Sequence, residues 1–260
     1  MKNVRTMWVV PFRDKTLTGL VAVVLFLCAC PALGVLEFKD GLTHDIDYAI
    51  ADSVWVDFQS PSMYTTVNLL GGGSTPNLRG YEQSRINVRG GSTGLHSLDS
   101  SHVYISGGEI LSLISQDSSY VAISGGSIGE LYSWDSSQVN ITGGSIYKYL
   151  CSFSSSQVDI FGGSIKGPLY LDVRSFINIY GSNFAVDGQP FGYGELTSIL
   201  GGPWDNEPHR RLTGILASGD LLNNDFYIGR SSKIVLVPEP ASAMMLGLGS
   251  VFFALRRMRR

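Results

Sequence analysis

The chain has 260 residues, of which 44% are hydrophobic and only 16% charged, with 31 glycines and three cysteines. That length holds one domain or two, and so few charges with so much glycine suit a corner-rich β fold rather than a helical enzyme. The formal net charge is −3, but setting aside residues 1–34 and 239–260 leaves 11 basic and 20 acidic residues, a net of −9. An acidic body argues against nucleic acid or anionic lipid as a partner and is compatible with neutral glycans or bridging divalent cations.

Four basic residues (Lys2, Arg5, Arg13, Lys15) precede an apolar run at 20–28 and the small-residue stretch Ala32-Leu33-Gly34. This order reads residues 1–34 as a secretory signal peptide with a helical apolar segment. The competing reading is a membrane anchor, for which the run is short. Leu27-Cys28-Ala29-Cys30 faintly resembles a lipoprotein cleavage box, with an atypical Cys at its second position.

Residues 35–62 hold the fragments Asp45-Ile46-Asp47 and Asp52-Ser53-Val54-Trp55-Val56-Asp57-Phe58. The second is a preview of the phrase repeated later in the chain. It places the start of a repetitive structure near Leu42, with an irregular first coil. Residues 35–41 are then expected to cap the open strand edge.

From 63 to 183 one phrase recurs. Asp99-Ser-Ser-His-Val-Tyr-Ile-Ser-Gly-Gly has copies beginning at Asp117, Asp135 and Ser154, a weaker one before them and a decayed one after. The Gly-Gly pairs start at Gly90, Gly107, Gly125, Gly143 and Gly162, at steps of 17, 18, 18 and 19 residues. So short and steady a period marks a solenoid. Within each copy β-branched residues alternate with polar ones (Val121-x-Ile123, Val139-x-Ile141), which is a strand signal. Gly-Gly supplies one corner and Asp-Ser-Ser the next. A single coil buries too little apolar surface to offset its ordering entropy, so coils must stack and ladder-bond to one another. The predicted fold is all-β, a parallel β-helix (β-solenoid) of about 18 residues per coil, right-handed by the preference of parallel crossovers. Val103, Val121, Val139, Val158 and Ile177 form one inward column, and Ile105, Ile123, Ile141, Ile160 and Ile179 the next.

Residues 184–236 loosen the rhythm and then offer two strand-like runs, 211–228 and 233–237, expected to close the C-terminal end. Cys151 is the one cysteine of the body, so no intramolecular disulfide forms there. Alternation turns Leu150 and Ser152 inward and Cys151 outward, and no His or Asp beside it makes a nucleophile pattern.

Three constellations bear on chemistry. Asp99, Asp117, Asp135 and Asp172, interrupted by Ser154, form a corner column that either shares Ca²⁺ or, as preferred here, bonds backbone amides of the turn; no metal or other cofactor is expected. Tyr132, Trp134, Phe153 and Tyr170, with Tyr147 and Tyr149 nearby, form an outward aromatic strip suited to stacking on sugars. The alternative is that residues 184–236, or a second chain, cover it. Asp159, Lys148, Lys166 and Arg174 are the scattered groups a polysaccharide lyase or hydrolase would need, but no coil departs from the repeat to build a cleft. The body is therefore read as non-enzymatic, structural or adhesive, with a glycan-binding module as the alternative.

Residues 237–260 join Pro238-Glu239-Pro240 to an apolar stretch at 241–255 and the basic end Arg256-Arg257-Met258-Arg259-Arg260. A helix of fifteen residues spans about 22 Å, short for a bilayer core, and the arginines hold its end on the cytoplasmic side. This ending resembles the PEP-CTERM sorting signal of Gram-negative bacteria, and the repeat body resembles PEP-CTERM surface proteins of planctomycete-like bacteria. The resemblance implies recognition by an exosortase, with Pro238, Glu239 and Pro240 as the processing motif and Arg256 and Arg257 in the basic end. It further implies transient membrane insertion through the tail and delivery to the cell surface or extracellular matrix, where exopolysaccharide is an expected partner.

Overall fold

A computed structural model describes residues 34–60, 62–197, 210–229 and 231–239. The expected signal helix and the apolar helix of the tail lie outside the described residues. The described structure is all-β, with strands and no helix. Strands from successive copies pair in parallel with unshifted register: Val103↔Val121↔Val139↔Val158↔Ile177, and Ile105↔Ile123↔Ile141↔Ile160↔Ile179. All ten are at most 1% exposed. Stacking like on like in this way makes a β-solenoid, with about eight coils roughly 19 residues apart.

Each coil has two main runs. Short strands (Arg85–Val88, His102–Ile105, Tyr120–Ile123, Gln138–Ile141, Gln157–Ile160) form one face. Longer strands (Ser92–Ser97, Glu109–Ser115, Ser127–Ser133, Ser145–Ser152) form the other. The longer strands bury the column Leu78, Leu95, Leu113, Leu131, Leu150 and Leu169. From Leu69 to Ile179 the coil step is 17 to 19 residues, as the Gly-Gly spacing predicts, while the first step, Ile46 to Leu69, takes 23. Within residues 35–41, Val35–Phe38 forms a rung, pairing in parallel with Ser53–Val56.

At the Gly-Gly corner the second glycine takes positive φ (84° at Gly126 and Gly144), a conformation that L side chains resist. It also lies on the corner beneath, where a Cβ at Gly126 would come within 2.8 Å of the Gly107 carbonyl oxygen.

The other corner holds a buried hydroxyl ladder. Ser97–Ser101, Ser115–Ser119, Ser133–Ser137 and Ser152–Ser156 pair Oγ to Oγ at 2.8–2.9 Å. Ser137, Ser156 and Ser175 also donate to carbonyls of the coil below, at 3.1, 3.0 and 2.8 Å. All these hydroxyls are enclosed, and the pairing offsets their loss of water.

The C-terminal end changes direction. Phe176–Val186 runs on past the repeat, and Arg210–Leu216 pairs antiparallel with it and with Leu221–Ile228. Leu221–Ile228 also adds the last rung of the long-strand face, Leu169↔Phe226. Lys233–Pro238 adds the last rung of the other, Ile177↔Ile234 and Ile179↔Leu236.

Candidate functional site

Inward alternation on the long-strand face leaves an outward column in register: Trp55, Arg79, His96, Ile114, Tyr132, Cys151, Tyr170 and Tyr227. Beside it, at the corner, Tyr81, Leu98, Gln116, Trp134, Phe153 and Asp172 each donate their amide to the strand of the coil below. The four expected strip residues thus occupy two neighbouring columns. Trp134 and Phe153 stack, with ring centroids 4.3 Å apart and planes inclined by 26°, and both are half-buried. Tyr132 is half-buried too, and its hydroxyl donates to Glu130 Oε2 at 3.4 Å.

Tyr170 is covered, with 7% of its surface exposed. The strand Leu221–Ile228 docks against its own and brings Tyr227 alongside, with ring centroids 6.5 Å apart. The exposed part of the strip therefore narrows to Tyr132, Trp134 and Phe153. Tyr147, expected nearby, is 45% exposed and is held by Ser127 Oγ at 2.9 Å and by the Lys166 ammonium 4.6 Å from its ring.

Cys151 faces outward by register but is fully enclosed between Tyr132 and Tyr170 in its column. Burial, helped by the charge of Glu130, pushes its thiol up to about 12, which removes the thiolate at neutral pH. Burial and Glu130 likewise push the Tyr132 phenol up to about 12. Glu130 is paired with Lys148 Nζ at 2.9 Å.

The acidic corner column differs from the expected one. Asp99, Asp117, Asp135 and Ser154 take the left-handed conformation, with φ between 54° and 59°. The carboxylates of Asp99 and Asp117 reach the neighbouring coil rather than their own turn: Asp99 Oδ2 accepts from Glu82 N at 3.1 Å and Asp117 Oδ2 from Asp99 N at 3.2 Å. Asp172 stands outside this column. Its amide bonds Ser152 O, the place that Phe153 takes one coil earlier, and Val173 follows Ser154 in the left-handed corner position. Among the described residues no group of three or more His, Cys, Asp or Glu is placed to hold a metal ion.

The groups a lyase or hydrolase would use each have separate partners. Asp159 accepts from Asn178 Nδ2 at 2.6 Å and from Gln157 Nε2 at 3.0 Å. It belongs to a polar ladder in which Asn68 donates to Asp45 at 2.6 Å and Asn87 to Asn68 at 2.8 Å. Lys148 pairs with Glu130 and Lys166 lies over Tyr147. Arg174 alone faces a cleft, lined with Asp172, Val173, Tyr227 and Ser231. One coil does, then, depart from the repeat to build a cleft, contrary to the sequence reading. Tyr227 and Ser231 belong to segments outside the repeat. The alternation Leu222-x-Asn224-x-Phe226-x-Ile228 was the signal that could have placed Tyr227 outward.

At the far end Pro238 terminates the last strand, opposite Gly181 in register. Having no amide hydrogen, proline ends a ladder naturally. Pro238 and Glu239 are both exposed, so the segment leaves the last rung into solvent. Pro240, Arg256 and Arg257 lie outside the described residues, and among the described residues no helix is long and apolar enough to cross a membrane.

No curated protein and no solved structure matches the chain. Residues 236–260 match the PEP-CTERM protein-sorting motif, a span that includes Pro238, Glu239, Pro240 and both arginines. The chain is a β-solenoid that carries a PEP-CTERM sorting motif from its last rung onward, the mark of an exported, exosortase-targeted protein.

Proposed function

We propose that the protein is a structural or adhesive element of the cell surface or extracellular matrix, without catalytic activity, held in the membrane by its tail until exosortase processing at Pro238-Glu239-Pro240. One observation carries this reading: the sorting motif begins on the last rung of a body whose coils are nearly interchangeable. Repetition of shape serves a scaffold, and the corner that breaks it, at Arg174, gathers a single carboxylate where acid–base cleavage of a glycoside uses a pair. The test is localisation of a tagged chain with and without residues 238–260. Surface display that disappears, with the chain accumulating elsewhere, is the expected result. An unchanged surface pattern without the tail overturns the sorting role.

A second reading, a glycan-binding module, is favoured by the stacked and partly exposed pair Trp134–Phe153. Exopolysaccharide of the matrix is the partner that suits an acidic body with open ring edges.

A further inference from the structure

The corner at residues 172–175 breaks the pattern of those before it. The five preceding corners use one left-handed residue each, Glu82, Asp99, Asp117, Asp135 and Ser154, and the corner at 57–60 uses two that are not adjacent, Asp57 and Gln59. Here two in succession are left-handed, Val173 at φ 55° and Arg174 at φ 62°. A β-branched residue in that region is a rare conformation held at a cost, and Val173 is moreover 51% exposed. The amide of Val173 is fixed by Asp172 Oδ1 at 2.8 Å. The corner borders the cleft lined by Asp172, Val173, Arg174, Tyr227 and Ser231, and Ser231 too is left-handed at φ 62°.

The cleft continues the aromatic strip. In the corner column Asp172 follows Phe153, which follows Trp134, at one coil spacing of about 4.8 Å. Trp134 stacks on one face of Phe153. In the neighbouring column Tyr227 follows Tyr170. The Tyr227 ring beside a carboxylate, a guanidinium and a serine hydroxyl meets the two needs of a sugar: packing for its apolar C–H face and partners for its rim of hydroxyl groups.

The geometry points to a binding subsite for a neutral saccharide in this cleft. Arg174 and the second carboxylate oxygen of Asp172 pair with hydroxyl groups, while Tyr227 packs on the ring. A uronate is disfavoured by Asp172 in the cleft and by the net charge of −9 of the body. A free cation is disfavoured by the guanidinium and by the single carboxylate. The inference rests on the glycan-binding reading above and gives it a place and a ligand class.

The test uses the full chain, purified in detergent, on arrays of neutral gluco-, galacto- and manno-oligosaccharides with oligogalacturonates beside them. Binding to at least one neutral series is expected, weakened about tenfold or more by Arg174→Gly. Glycine suits the left-handed corner, so this variant keeps the fold, as its far-UV circular dichroism and thermal midpoint report. Tyr227→Phe, which removes one hydroxyl, gives a second reading of the same cleft. No neutral binding, binding to uronates alone, or unchanged binding by both variants overturns the subsite. Surface display of the same variants is scored separately. Display kept with binding absent defeats the subsite alone, and display unaffected by loss of the tail defeats the exported-scaffold reading.

Discussion

Alanine at Gly126 separates coil stacking from local backbone preference. Gly126 has φ 84°, and its Cβ would lie 2.8 Å from Gly107 O, 3.0 Å from Gly107 C and 3.1 Å from Gly108 O, all backbone atoms of the coil below. Gly219, in the turn between Arg210–Leu216 and Leu221–Ile228, has φ 92° with nothing within 4 Å of a built Cβ. Both substitutions carry the left-handed penalty of about 1–2 kcal/mol. Both recover about 0.4–1 kcal/mol from the smaller freedom of the unfolded chain. Only Gly126→Ala must also push one backbone off another, an overpacking cost of about 1–3 kcal/mol. Gly219→Ala should therefore destabilise by about 0–1.6 kcal/mol, and Gly126→Ala by about 1–3 kcal/mol more than that. Urea unfolding followed by far-ultraviolet circular dichroism gives the midpoint and slope, and hence the free energy, of each variant. Losses equal to within about 0.5 kcal/mol would refute the stacked corner as the origin of the glycine requirement.

Two further outcomes follow from buried groups. Ser137→Ala removes the partner of Ser133 Oγ at 2.8 Å and the donor to Ser115 O at 3.1 Å; it should cost about 1–3 kcal/mol, and adding Ser133→Ala should cost less than the second loss alone, which a double-mutant cycle measures. Cys151, with its thiol raised to about 12 from 9.0, should resist maleimide in the native chain at pH 8 and react on unfolding, as peptide mapping can show. Because the folded state then holds a proton that the unfolded state releases, this group lowers stability as pH rises from 9.0 toward 12 and leaves it unchanged below that window.

The inward columns were legible because alternation with β-branched residues has one physical reading: Val121 and Ile123 fit only a half-buried strand, and the stepwise Gly-Gly spacing set their stacking partners. The Ser pairs were not legible. Ser119 and Ser137 look like polar corner residues, and only the closed geometry shows that each hydroxyl finds another across the turn. Asp172 was misplaced by one position because Asp172-Val-Arg-Ser imitates Asp-Ser-Ser in composition while its amide takes the place of Phe153. Alternation turns Cys151 outward and Tyr170 follows it in register, but both are enclosed, through neighbours across coils and the strand Leu221–Ile228, more than fifty residues away in the chain, whose docking no local pattern announces. The cleft at Arg174 shares that origin, since Tyr227 and Ser231 reach it from outside the repeat.

The most direct test of stacked coils is a ladder of spin-label separations along one corner. Ser100, Ser118, Ser136 and Ser155 are exposed and recur once per coil. Nitroxides on Ser100→Cys paired in turn with Ser118→Cys, Ser136→Cys and Ser155→Cys, with Cys28 and Cys30 replaced by serine, should lie about 5, 10 and 14 Å apart in backbone separation. Equal increments of one strand spacing per copy are the expected result. Separations that grow with residue number, toward the roughly 80 Å of a continuous helix between the outermost pair, would contradict it.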